Sequence, residues 1–211
     1  MASFTDLGEP QSSSLASSHP TLDCLNRRGN LHYSRPLNSN LKEIRLLQIT
    51  STTPEKVSCN LTYTSLQNSE PLKYRALSYV WGKPVLDWVI TVNGRPFKVT
   101  ENLYEALRHL YKDQTIPYWI DDICINQDDP KEKGEQVQQM TSIYSKSVEV
   151  IIWLGPANNT TPTLMEKINK IGNISQRCGL SDISSTQLRE WPWFERVWVL
   201  QELVAGSQAI I

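Results

Sequence analysis

The chain has 211 residues, enough for one domain with a tail or for two small domains, and enough to bury a sizeable core. Its formal net charge of -1 comes without a long basic run, which argues against a dedicated nucleic-acid or anionic-membrane surface. Cys24, Cys59, Cys124 and Cys178 are scattered with no C-x-x-C pair, so neither a zinc site nor a disulfide framework is expected. With no secretory apolar region and no apolar run of membrane-spanning length, the sequence reads as soluble and cytoplasmic. The seven Trp are the unusual count.

Residues 1–38 are rich in Ser, Pro and Asn and read as a disordered leader. The segments Glu43 to Ile49 and Val57 to Tyr63 read as strands that can pair. Tyr74 to Val80 is a buried strand, ended by Trp81, Gly82 and Pro84. Trp88–Val92 and Arg95–Val99 flank Asn93-Gly94, whose positive φ angles suit a type I′ hairpin. Thr100 is placed to cap a helix with Glu101 in its first turn. Leu103, Leu107 and Leu110 give that helix one apolar face.

Tyr118 to Gln127 reads as a short buried strand. Ile120, Ile123 and Ile125 supply β-branched bulk, and Asp121, Asp122, Asn126 and Gln127 crowd its carboxyl end. Asp128, Asp129 and Pro130 open a helix reaching about Ser147, with Val137, Met140, Ile143 and Tyr144 on its apolar side. Val148 to Leu154 is a further buried strand, closed by Gly155 and Pro156. Thr161 and Pro162 start another helix. Ser181–Ser185 is loop, Trp193–Ala205 helix with Gly206 as its cap, and Gln208–Ile211 the beginning of a last strand, so the sheet is expected to be incomplete at its carboxyl-terminal side. The alternation predicts an α/β fold with a parallel doubly wound sheet, to which an N-terminal β segment and the hairpin are added. In such sheets ligands bind outside the carboxyl ends of the strands.

No Walker loop, G-x-G-x-x-G or G-x-S-x-G is present. His19, His32 and His109 are isolated, so no His-based triad is supported. Asp121, Asp122, Asp128 and Asp129 offer oxygen ligands, but their spacing fits no Ca²⁺ loop, and Asp128 and Asp129 are better explained as helix-start residues. Trp198 and Glu202, four residues apart, share a helix face. An indole beside a carboxylate can raise its pKa or prepare it to stabilise positive charge, with Arg196 and Gln201 near enough to join. Core packing of Trp198 and an ion pair for Glu202 would explain the same spacing. Ser78 and Tyr79 at a strand end, beside Trp81, either bind a ligand or satisfy a buried loop. Asp121 and Asn126 can equally serve as Asx caps.

Three blocks resemble one family. Arg75-Ala-Leu-Ser-Tyr-Val-Trp-Gly82, Trp119-Ile-Asp-Asp-Ile-Cys-Ile-Asn-Gln127 with Gln136 to Met140 and Ile143-Tyr144, and Phe194-Glu-Arg-Val-Trp-Val-Leu-Gln-Glu202 are similar to the signatures of fungal heterokaryon incompatibility (HET) domains. Val92 to Arg95, Asn102-Leu103 and Ile152 to Gly155 fall in place, and Asp122 departs from a position where the family often has a small residue. The resemblance covers about residues 43 to 211, within a domain spanning 39–211. It implies recognition of non-self at cell fusion, programmed cell death, self-association, and other incompatibility or NLR-type proteins as partners. More remotely the order of elements resembles a TIR domain, implying a TIR-like or flavodoxin-like parallel sheet flanked by helices. By that resemblance Glu202 is the catalytic carboxylate of an NAD⁺-cleaving site. Ser78, Tyr79, Trp81, Asp121, Asn126, Arg196 and Trp198 are its substrate-binding candidates, NAD⁺ is substrate rather than cofactor, and no metal is needed. A non-enzymatic oligomerisation module is the alternative.

Overall fold

A computed structural model describes residues 33–53, 56–68, 72–111 and 115–156 and the backbone of 209–210. The helices expected from Thr161 and from Trp193, the loop at 181–185, the cap at Gly206 and most of the leader lie outside the described residues. Among the described residues eight strands form one sheet. They are β1 (Glu43–Thr53), β2 (Lys56–Ser65), β3 (Arg75–Tyr79), β4 (Trp88–Val92), β5 (Arg95–Val99), β6 (Tyr118–Trp119), β7 (Glu149–Trp153) and β8 (Ala209–Ile210). The α-helices among the described residues are α1 (Glu101–Leu110), α2 (Asp121–Cys124) and α3 (Pro130–Lys146).

The sheet order is β5-β4-β2-β1-β6-β3-β7-β8. The run β6-β3-β7-β8 is parallel throughout. Counted along the chain these strands stand in the order second, first, third, fourth, which is how a flavodoxin-like sheet begins. β1 joins this run antiparallel to β6, with Leu47 opposite Tyr118. The N-terminal strands and the hairpin are therefore one half of a continuous sheet.

Local chemistry explains several boundaries. Asn93 and Gly94 have φ of 51° and 78°, as the two-residue hairpin requires. The Asn93 side chain also accepts from the Leu61 N–H at 2.9 Å, which ties the turn to β2. Thr100 caps α1 by accepting from the Leu103 N–H, and Leu103, Leu107 and Leu110 are buried beneath it. Asp129 caps α3 by accepting from the N–H groups of Lys131 and Glu132, with Pro130 at the first helical position. Adjacent strand residues point to opposite faces. The Tyr118 hydroxyl donates to the Leu110 carbonyl on α1, whereas the Trp119 ring meets Tyr144 on α3 edge-on at 5.6 Å. The two helices thus cover opposite faces.

Two expectations change. The strand expected across Tyr118 to Gln127 stops at Trp119, and Asp121–Cys124 make one helical turn. Asp121 and Asp122 sit in the first turn, where acidic groups favour a helix. Ile120, Ile123 and Cys124, at helical spacing, all turn into the core. The leader's expected boundary at residue 38 also moves, because Tyr33 to Asn38 pack on the domain. Arg35 forks onto the Glu43 carboxylate at 2.6 and 2.8 Å, and the Asn38 N–H donates to the same carboxylate.

A buried ion pair joins the elements. Arg45 on β1 is fully buried, and its guanidinium donates to both oxygens of Glu132 on α3 at 2.6 and 3.0 Å. It also donates to the carbonyls of Cys124 and Arg35, and it stacks over the Tyr33 ring at 4.3 Å. Removing one partner of such a pair leaves an uncompensated buried charge. Glu132→Gln is therefore expected to lower unfolding free energy by about 3–5 kcal/mol in urea titration. The double change Arg45→Met with Glu132→Leu should cost less than the sum of the two single changes.

Glu43 gives a pH dependence. Its hydrogen bonds from Arg35, working against burial and aided by Asn38, hold the carboxyl at about 2 against an ordinary 4.5. A depressed folded-state pKa contributes stability that is present above pH 4.5 and lost as pH falls toward 2. In urea midpoints measured across that window, Glu43→Gln should be less stable than the parent at neutral pH, and the difference should shrink on acidification.

Candidate functional site

At the carboxyl ends of the parallel strands the chain leaves β3 through Val80, Trp81 and Gly82. Gly82 has φ of +75°, a left-handed conformation that a side chain would strain. The turn aims the Trp81 indole across to the end of β6, where its N–H donates to the Asp121 carboxylate at 3.1 Å. The other Asp121 oxygen accepts from the Asp122 N–H at 2.7 Å, an Asx contact at the helix start. The Asp121 carbonyl accepts from the Gln127 side-chain amide at 2.9 Å. Trp81, Asp121 and Gln127 are thereby fixed to one another.

Trp81 and Gly82 form a wall shared by two clefts. The first, of about 360 Å³, is lined by Asp121 and Gln127, by the apolar side chains of Val80, Ile125, Val137 and Met140, and by Lys133. The second, of about 390 Å³, lies toward the start of α1 and is lined by Lys83, Val85, Asp87, Trp88, Thr100, Glu101 and Asn102. Mostly apolar walls with a few fixed polar groups are what small-molecule sites present. The first cleft combines an indole, a carboxylate and an amide with an aliphatic floor.

Asn102 binds the strand ends together. Its side-chain amide donates to the Val80 carbonyl at 2.6 Å, and its oxygen accepts from the Trp153 indole N–H at 2.9 Å. The first turn of α1 thus bridges β3 and β7, the two strands between which the parallel order reverses. Doubly wound sheets open a crevice at such a reversal. His109 packs its ring on Trp153 at 4.8 Å and sits within 2.8 Å of the Glu105 carbonyl.

Of the residues expected at the site, Trp81 and Asp121 meet in the first cleft. Ser78 and Tyr79 are almost completely buried at 0% and 1% exposure, and neither is among the residues lining the two clefts. Asn126 shapes the turn instead. Its backbone N–H donates to Glu132 at 2.7 Å and its side chain accepts from the Asp128 N–H, the capping role that its position allowed. Glu202, Arg196 and Trp198 lie outside the described residues. Gln127, expected among the polar groups at the strand's carboxyl end, lines the first cleft, whereas Lys133 and Asn102, which line the first and second clefts, were not anticipated. Gln127 follows the acidic turn directly, and Asn102 occupies the first turn of a capped helix, but neither placement specifies a partner. Cys59 and Cys124 are buried, and burial pushes both thiols up to about 12, so neither is a thiolate nucleophile at neutral pH. Among the described residues no group of three or more His, Cys, Asp or Glu could hold a metal ion. No described helix is long and apolar enough to cross a membrane.

No solved structure matches this chain. One curated relative is heterokaryon incompatibility protein 6, OR allele, of Neurospora crassa. It is 42% identical over 118 residues, a match covering 49% of this chain and 17% of the relative. The family described as heterokaryon incompatibility protein (HET) matches residues 74–202. That span runs from the residue before β3 through both walls of the first cleft and ends at Glu202, so the chain belongs to the heterokaryon incompatibility (HET) family.

Proposed function

We propose that this chain is an effector of heterokaryon incompatibility, acting in the cytoplasm, whose signal for programmed cell death is the cleavage of NAD⁺ in the cleft at Trp81 and Asp121. The observation that supports this reading best is the placement of that cleft. It lies at the carboxyl ends of parallel strands, beside the point where their order reverses, and it combines an indole and a carboxylate with an apolar floor. The Trp81 ring offers a stacking surface for nicotinamide or adenine. Gln127 and Asp121 offer hydrogen bonds at fixed positions.

In this reading Glu202, with Trp198 as its neighbour, is the carboxylate that the TIR-like resemblance supplies. The bond between ribose C1′ and the nicotinamide nitrogen breaks, and its electron pair stays on that nitrogen, which becomes neutral. Positive charge spreads over C1′ and the ring oxygen, and the Glu202 carboxylate stabilises it. Water adds at C1′ and loses a proton, leaving ADP-ribose and nicotinamide. Clustering of the protein, with itself or with other incompatibility or NLR-type partners, switches the site on.

A second reading is a non-enzymatic association module. Val85, Trp88 and Val89 favour it, being 50%, 38% and 49% exposed on and beside β4. Such apolar exposure is common at contact surfaces.

NAD⁺ loss and nicotinamide release from purified protein, fused to an oligomerising partner, separate the two readings. Turnover that disappears in Glu202→Gln, with stability unchanged, is the expected result. No turnover in confirmed oligomers of the parent would favour the association module. Trp81→Leu should raise KM about tenfold or more while the protein stays folded, since stacking of a base on an aromatic ring is worth about 1–3 kcal/mol.

A further inference from the structure

The turn that brings Asp121 and Gln127 to the first cleft is held from outside the sheet. Tyr33, in a segment whose composition resembles a disordered leader, shares its hydroxyl hydrogen between the carbonyls of Ile123 and Ile125 at 3.0 and 3.1 Å. The carbonyl between them, that of Cys124, accepts from Arg45 at 3.0 Å, and the next amide, that of Asn126, donates to Glu132. Four successive backbone groups of one turn are thus bound by three side chains from three other elements. Two of those side chains form the buried ion pair, and that pair is needed for the fold itself. The third comes from a strap formed by residues 33–38, and its ring lies over the Arg45 guanidinium at 4.3 Å.

We propose that Tyr33 is a positioning residue for the functional site. Its hydroxyl fixes the Ile123–Ile125 carbonyls, and through them the distance from Asp121 to Trp81 and the placement of Gln127. The inference rests on reading the Trp81–Asp121 cleft as the functional site. Loss of the hydroxyl frees the turn without disturbing the sheet, because β1 and β2 are held by a ten-residue antiparallel register of their own. Tyr33→Phe keeps the ring over Arg45 and removes the two carbonyl contacts.

Hydrogen exchange read residue by residue by NMR tests this without NAD⁺, so its outcome is separate from the fate of the NAD⁺ reading. The amides of Cys124, Ile125 and Asn126 donate to Ile120, Asp121 and Glu132, so their protection reports opening of the turn. In Tyr33→Phe these three amides should exchange about tenfold faster than in the parent. The Trp81 indole N–H signal, assigned with Trp81→Phe, should shift, and Gln48 and Asn60, a facing pair of β1 and β2, should keep their rates. Ser34→Ala is the control, since Ser34 belongs to the same strap but donates to Tyr63 on β2. It should leave the turn amides and the Trp81 signal unchanged. Unchanged turn amides in Tyr33→Phe, a uniform rise that includes Gln48 and Asn60, or an equal effect of Ser34→Ala would each overturn the proposal.

Discussion

The buried charge of Arg45 is the constraint around which the described half of the domain is organised. A guanidinium with no access to water must find acceptors for its donors and an anion for its charge. Four of the five N–H groups are used, two by Glu132 and one each by the carbonyls of Cys124 and Arg35. Meeting that demand fixes the first turn of α3 against β1, holds the α2 turn between them, and draws the N-terminal strap onto the same spot. Apolar packing alone would tolerate small slides among these elements. A forked pair between two planar groups does not, because both bonds require one orientation.

That fixed turn is what places the site. Asp121 leaves the end of β6 and Gln127 closes the turn, so the positions of both follow from the restraints on residues 123–126. Trp81 arrives from β3, just before a glycine whose positive φ redirects the chain. Asn102 arrives from the cap of α1 and locks the ends of β3 and β7. Named hydrogen bonds among Trp81, Asp121 and Gln127, and from Asn102 to the ends of β3 and β7, thus hold these parts of the cleft wall in place.

Much of this architecture was legible from local chemistry. Asn93-Gly94 declared a hairpin because few other pairs accept two positive φ angles in succession. Thr100 and the Asp129-Pro130 pair declared helix starts because their side chains or rings suit the exposed N–H groups there. Trp81 and Asp121 were expected at strand ends, and the first cleft brings those two together. Interactions distant in sequence were not. Nothing near Arg45 names Glu132, 87 residues away, although an arginine inside the run Ile44 to Leu47 was a sign that a buried anion had to exist. The α2 turn was misread because Ile120, Ile123 and Ile125 look like strand residues by composition, whereas burial of Ile120, Ile123 and Cys124 follows helical spacing. Ser78 and Tyr79 sit at the right strand end but are sealed by packing, which strand position alone does not reveal. Tyr33 was hidden by the Ser- and Pro-rich composition around it, since composition averages over the one residue that makes the contact. The order of the sheet, with β1 inserted beside β6, is set by long-range pairing that turn chemistry does not encode.

We propose that the cleft between Trp81, Asp121 and Gln127 receives a dinucleotide. Titration of isotope-labelled protein with NAD⁺, followed through backbone and indole N–H signals, tests it most directly. Saturable shifts are expected at the Trp81 indole and at Asp121, Gln127 and Val137 below about 1 mM, the upper end of usual KM values. Absence of shifts up to that concentration, or shifts confined to residues away from this cleft, would contradict it.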